Sequence, residues 1–248
     1  MIKTILKTYM NRQSPPEVKW FPAVIGAIYL FSLYLFTIIG RSNVTLDGSI
    51  NSYAMIIAWG LTAALASAVI YGTLLMNNQL VKQFIGVVEI QSFQIPGGKG
   101  IMFLLQLVIF VGKMLLQMLL ALAVGSGVFL LLESILPVLN SQISVFNFAH
   151  VMQLILGTWS VSFFTISMVS LAGIFGIHYR STRLTWIIAG LSIIIVGGLG
   201  IFMLRTIPFI TLLLSIGLVV LVGLLAKGLA TTLTQRSTVD FFQDGFFK

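Results

Sequence analysis

The chain has 248 residues, of which 58% are hydrophobic and only 8% charged, and its mean hydropathy is +1.07. A soluble domain carries about 25% charged residues, so a water-facing surface is excluded and lipid must solvate most of the molecule. The net charge of +8 sits between apolar runs and not in a patch with interleaved aromatics, which argues against nucleic acid and for the charge rule of membrane loops.

At the N-terminus, Ile2, Ile5, Leu6, Tyr9 and Met10 recur at helical spacing, with Lys3, Lys7, Asn11 and Arg12 on the opposite face. This predicts an amphipathic helix over residues 1–14, too short to span and basic on its wet side, lying in the membrane interface. Pro15 and Pro16 end it. The next apolar run, Trp20 to Ile39, is long for a signal peptide and leads into Gly40-Arg41-Ser42-Asn43 rather than a small-residue cleavage site. It reads as a retained helix.

A spanning helix needs about 20 mostly apolar residues. That rule predicts an all-α integral membrane protein with spans near 20–40, 52–76, 101–132, 148–177, 184–204 and 207–227. The last two come from one apolar stretch, Leu184 to Ala226, interrupted by Arg205 and Pro208. Residues 15–230 thus form a six-helix transmembrane domain and residues 231–248 a tail. On the second helix, Gly60, Ala64, Ala68 and Gly72 recur every four residues, a spacing that lets another helix approach closely. The third helix is expected to end between Glu133 and Pro137.

The charges orient the spans. Lys3, Lys7, Arg12, Lys19, the segment from Lys82 to Lys99, Arg180, Arg183, Lys227, Arg236 and Lys248 fall on one side, and Arg41 and Arg205 on the other. Both termini and the 77–100 segment are therefore expected in the cytoplasm.

Catalytic chemistry is sparse. There is no cysteine, which removes disulfides and thiol chemistry. The six acids are Glu17, Asp47, Glu89, Glu133, Asp240 and Asp244, none at the centre of a predicted span. His150 and His178 bracket the fourth helix, about 42 Å apart at 1.5 Å per residue, too far to share a metal. Gly97-Gly98-Lys99-Gly100 is not a phosphate loop, because Phe93 stands where the first glycine belongs and Gly100 follows the lysine. The chain is expected not to be an enzyme and to carry no metal or cofactor of its own. One charge falls inside an apolar run: Lys113, which shares a helical face with Gln106 and Gln117. This stripe faces either a translocation path or, if Lys113 snorkels, the membrane interface.

The cytoplasmic segment from Asn77 to Gly100 is semi-polar and closed by Pro96, Gly97 and Gly98. Its Glu89 and its Ile95-Pro96-Gly97-Gly98-Lys99 element, leading into the third span after an N-terminal interfacial helix, resemble the membrane subunits of bacterial ABC exporters of the type-2 permease group. The resemblance covers the layout of nearly the whole chain. It implies a permease in the bacterial cytoplasmic membrane, driven by two copies of a separate ATPase subunit that holds ATP and Mg. It also implies a second permease subunit, identical or paralogous, and a hydrophobic or amphipathic peptide as substrate, in antimicrobial export or self-protection. By the same resemblance, Glu89, Gln91, Ser92, Phe93, Pro96 and Lys99 would form the coupling segment. The chain departs from the family pattern in having Gln106, not lysine, ten residues after Pro96, and little room for a re-entrant hairpin at Arg205–Pro208. Rival readings are a non-transporting membrane scaffold and an ion-coupled secondary carrier.

Overall fold

The computed structural model describes residues 16–42, 53–85, 98–135, 148–206 and 208–235. Among them are six α-helices: α1 (Pro16–Ser42), α2 (Tyr53–Gln79), α3 (Gly98–Ile135), α4 (Phe148–His178), α5 (Thr182–Thr206) and α6 (Pro208–Gln235). A short 3-10 turn, Val81–Gln83, follows α2. Five of the helices are long and apolar enough to cross a membrane; the same measure finds a shorter apolar helix over Thr182–Ile194 in α5. The chain is thus a multi-pass, all-α membrane protein. The amphipathic helix expected over 1–14 lies outside the described residues. So does most of the expected tail, although residues 231–235 belong to α6.

Helix α4 is the hub. It packs against α2, α3, α5 and α6, while α1 packs against α2 and α3. Most residues of α4 from Gln153 to Ile177 are buried, among them Thr158, Ser160, Ser162, Thr165 and Ser167. Lipid offers these hydroxyls no partner. Each instead bonds the carbonyl one turn back in its own helix, at 2.7–2.8 Å. Small polar residues thereby fill the crowded centre without requiring a matched partner on a neighbour. The small-residue face of α2 works alongside. Gly60 abuts Leu33 and Tyr29 of α1, and Gly72 abuts Met114 of α3 and Val169 of α4.

Helices α1, α2, α4 and α3 form the corners of a square, each packed on the next. Its middle is filled, not open: Tyr29, Leu33, Leu61, Met114 and Met118 are buried there, and Tyr29 hydrogen-bonds Ser126 at 3.1 Å. The diagonal pair α2 and α3 meets at three levels, Tyr53 with Glu133, Gly72 with Met114, and Phe84 with Phe103. These pairs keep an antiparallel register along the whole length.

At the Phe84–Phe103 end, basic residues gather. Gly100 abuts the Ala230 carbonyl of α6, and Gly176 abuts Thr185 of α5. By these registers Lys82, Arg180, Arg183 and Lys227 fall at about one common level, within roughly a helical turn of the Phe84–Phe103 contact. The tight turn from α4 to α5 holds two of them. The Ser181 N–H bonds the Gly176 carbonyl at 2.9 Å and the Arg180 N–H bonds the Ile177 carbonyl at 3.2 Å. This is a helix stop with its left-handed residue at Arg180, φ 51°. Ser181 then accepts the Leu184 N–H at 3.3 Å and caps α5. Glycine would suit the left-handed position better; an arginine there keeps a charge at the membrane surface.

From Phe103 to Glu133, α3 runs 30 residues without a break, about 45 Å. A bilayer with its polar headgroup regions is about 40–45 Å thick. The basic level and Glu133 therefore match its two faces.

The α3–α6 contact makes a stability prediction. A methyl group at Gly100 would collide with the Ala230 backbone, whereas one at Gly112 meets open space. Gly100→Ala is expected to destabilise the protein by about 1–3 kcal/mol through overpacking. Gly112→Ala is expected to be neutral or slightly stabilising. Thermal unfolding of the two variants in detergent measures the difference.

Candidate functional site

The end opposite the basic level carries one buried carboxylate. Glu133, in the last turn of α3, is 1% exposed. Tyr53, the first residue of α2, donates its hydroxyl to Glu133 Oε2 at 3.0 Å. The ring of His150 on α4 lies 5.6 Å from that of Tyr53. Gln153, also on α4, donates its Nε2–H to the Ala54 carbonyl at 2.9 Å and ties down the first turn of α2. From α1, Tyr34 stands edge-on to Phe129, one turn before Glu133, at 5.5 Å. All four helices of the square thus converge on one acid. A buried carboxylate needs charge-assisted partners to remain in a low-dielectric site, and Tyr53 is one such partner. The Tyr34 hydroxyl and His150 Nδ1 are buried and have no hydrogen-bond partner among the described residues.

Sequence reasoning missed this cluster. It read Glu133 as a helix terminator ahead of Pro137. The signal available was local: Ser126, Phe129 and Glu133 are spaced three and four apart and continue the buried face of α3.

At the basic end, Glu89, Gln91, Ser92, Phe93 and Pro96 lie outside the described residues. Lys99 is described and is 4% exposed in the first turn of α3. The two flanks of the 86–97 segment are anchored. Phe84 before it and Phe103 after it pack edge to face, with ring centroids 5.6 Å apart, both buried. Gly100 joins the same flank to α6.

The polar stripe of α3 does not share one environment. Gln106 is buried, Gln117 half-buried and Lys113 exposed. Neither amide atom of Gln106 has a hydrogen-bond partner among the described residues. The same holds for Asn77 Oδ1 and Thr73 Oγ1 of α2 and Ser170 Oγ of α4. These atoms belong to the halves of their helices nearer the basic level. Apolar surroundings make such atoms costly, so water or a polar ligand is the natural complement. The described residues include no group of three or more His, Cys, Asp or Glu side chains placed to hold a metal.

The Tyr53–Glu133 bond is testable by a double-mutant cycle. Side-chain hydrogen bonds inside membrane bundles couple by about 0.6 kcal/mol on average and up to about 1.7. Tyr53→Phe, Glu133→Ala and the double variant are expected to give a coupling within that range, about 0.6–1.7 kcal/mol, in unfolding free energy.

No protein-family model matches the chain, and no curated protein or solved structure matches it either.

Proposed function

We propose that this chain is the permease subunit of an ATP-driven exporter, with six spans and both termini in the cytoplasm. In this reading α5 also crosses the membrane, as the fifth of the six spans. A separate ATPase subunit hydrolyses ATP, and a second permease subunit, identical or paralogous, completes the transporter in the bacterial cytoplasmic membrane. The substrate class is a hydrophobic or amphipathic peptide.

The observation that carries the reading is the anchoring of the 86–97 segment. Phe84 and Phe103 clasp its two ends, and Gly100 meshes its exit with α6. A push on this segment would reach α2, α3 and α6 together. The basic level of Lys82, Arg180, Arg183 and Lys227 supports a cytoplasmic position for the segment by the charge rule. Within this reading Gln106 belongs to the polar interior, while the exposed Lys113 reaches back along α3 to the interface.

A second reading draws on Glu133. A buried acid at a membrane face is also what an ion-coupled carrier uses. The two readings separate on energy source. Exporter function predicts that efflux from intact cells stops on ATP depletion and survives collapse of the proton and sodium gradients; a carrier predicts the reverse. Shaving the clasp with Phe84→Ala is expected to lower ATP-driven efflux about tenfold or more while the protein still reaches the membrane. Lys113→Leu is expected to leave efflux unchanged.

A further inference from the structure

We propose that the Tyr53–Glu133 hydrogen bond is the latch that closes the square of α1, α2, α4 and α3 at the face opposite the basic level. The proposal rests on the transport reading and adds the place where the path is shut.

Three observations carry it. First, the bond runs across a diagonal. Neighbouring corners of the square pack more extensively on one another than α2 packs on α3, which it meets at separate levels. At the Glu133 end, that diagonal is crossed by the hydrogen bond from the Tyr53 hydroxyl to the Glu133 carboxylate, at 3.0 Å. Second, the bond is held in aim. His150 flanks the Tyr53 ring at 5.6 Å, and Gln153 fixes the Ala54 carbonyl beside it. Both come from α4, so they are positioning residues for the Tyr53 hydroxyl. Third, the layer beneath is apolar and buried. Ile57, one turn along α2 from Tyr53, is 1% exposed, and Phe129, one turn along α3 from Glu133, is also 1% exposed. A buried apolar layer under a polar tie is a seal that parts by separating α2 from α3. It requires no break in the side-by-side packing of the corners.

Toward the basic end, Gln106, Asn77, Thr73 and Ser170 are buried with polar atoms that have no hydrogen-bond partner among the described residues. At the Glu133 end the Tyr34 hydroxyl and His150 Nδ1 are in the same state, so what sets that end apart is the Tyr53–Glu133 bond across the diagonal.

The absence of cysteine in the chain makes the test clean. Ile57→Cys places a single thiol directly under the latch of the full-length protein in membrane vesicles. Labelling by a membrane-impermeant maleimide applied from the Glu133 face is expected to be slow. Adding Tyr53→Phe, which removes one oxygen, is expected to speed it about tenfold, the factor that corresponds to loss of a hydrogen bond worth about 1.4 kcal/mol. Labelling from the basic face is expected to stay as it was. Glu133→Gln keeps an acceptor for Tyr53 and is expected to label more slowly than Glu133→Ala. Gel filtration and unchanged labelling from the basic face separate latch opening from misfolding. Equal labelling rates with and without Tyr53→Phe in a folded protein would overturn the latch. So would indistinguishable Gln and Ala variants. Neither readout involves ATP, so loss of the exporter reading leaves this result interpretable on its own.

Discussion

A bilayer has a set thickness and offers no hydrogen bonds in its core. The architecture of this chain follows from those two facts. Thickness sets α3, whose 30 residues from Phe103 to Glu133 carry one continuous rod from the basic level to the buried acid. The lack of hydrogen bonds sets how polar side chains are housed. Hydroxyls on α4 turn back onto their own helix, Tyr29 pairs with Ser126, and Tyr53 pairs with Glu133. At Gln106, Asn77, Thr73, Ser170, Tyr34 and His150, buried polar atoms have no hydrogen-bond partner among the described residues, and the same constraint makes each of them costly.

The two ends of α3 give the molecule its mechanical logic. Its first turns are clasped to Phe84 and α6, and its last turn holds Glu133 against Tyr53. A rigid helix makes these ends one body. In the transporter reading, movement at the Phe84–Phe103 end would be felt at the Tyr53–Glu133 contact about 45 Å away, and the coupling needs no relay of side chains between the two. This link between engine and gate belongs to the transporter reading, and it depends on α3 remaining unbroken through Gly112, Gly125 and Gly127. None of these glycines interrupts the helix. Gly125 instead admits the Tyr29 ring.

Much of the architecture was legible in the sequence because it depends on local composition. Apolar runs of span length and the positions of Lys and Arg are one-dimensional signals, and each run carries a helix among the described residues. The α2 stripe of Gly60 to Gly72 was legible for the same reason. What could not be read was non-local. Glu133 looked like a helix terminator because its burial depends on Tyr53, 80 residues away, crossing a diagonal. The Gln106–Lys113–Gln117 stripe was a correct statement about one helix face, but neighbouring helices begin and end at different heights. Gln106 is buried, Lys113 exposed and Gln117 half-buried, because different neighbours stand beside α3 along its length. Arg180 gave no signal of its own. A left-handed residue is read from glycine or asparagine, and here an arginine occupies the position.

The claim on which the rest depends is that α3 crosses the whole bilayer between Phe103 and Glu133. Single cysteines introduced at its exposed positions Ile101, Val108, Leu116, Leu120, Val124 and Leu131, each carrying a spin label in vesicles, report depth by their accessibility to oxygen and to a water-soluble nickel chelate. Oxygen accessibility is expected to peak at Leu116 and Leu120, near the midpoint, and to fall toward Ile101 and Leu131 as nickel accessibility rises. A peak at Ile101 or Val108, or a flat profile along the helix, would contradict the account.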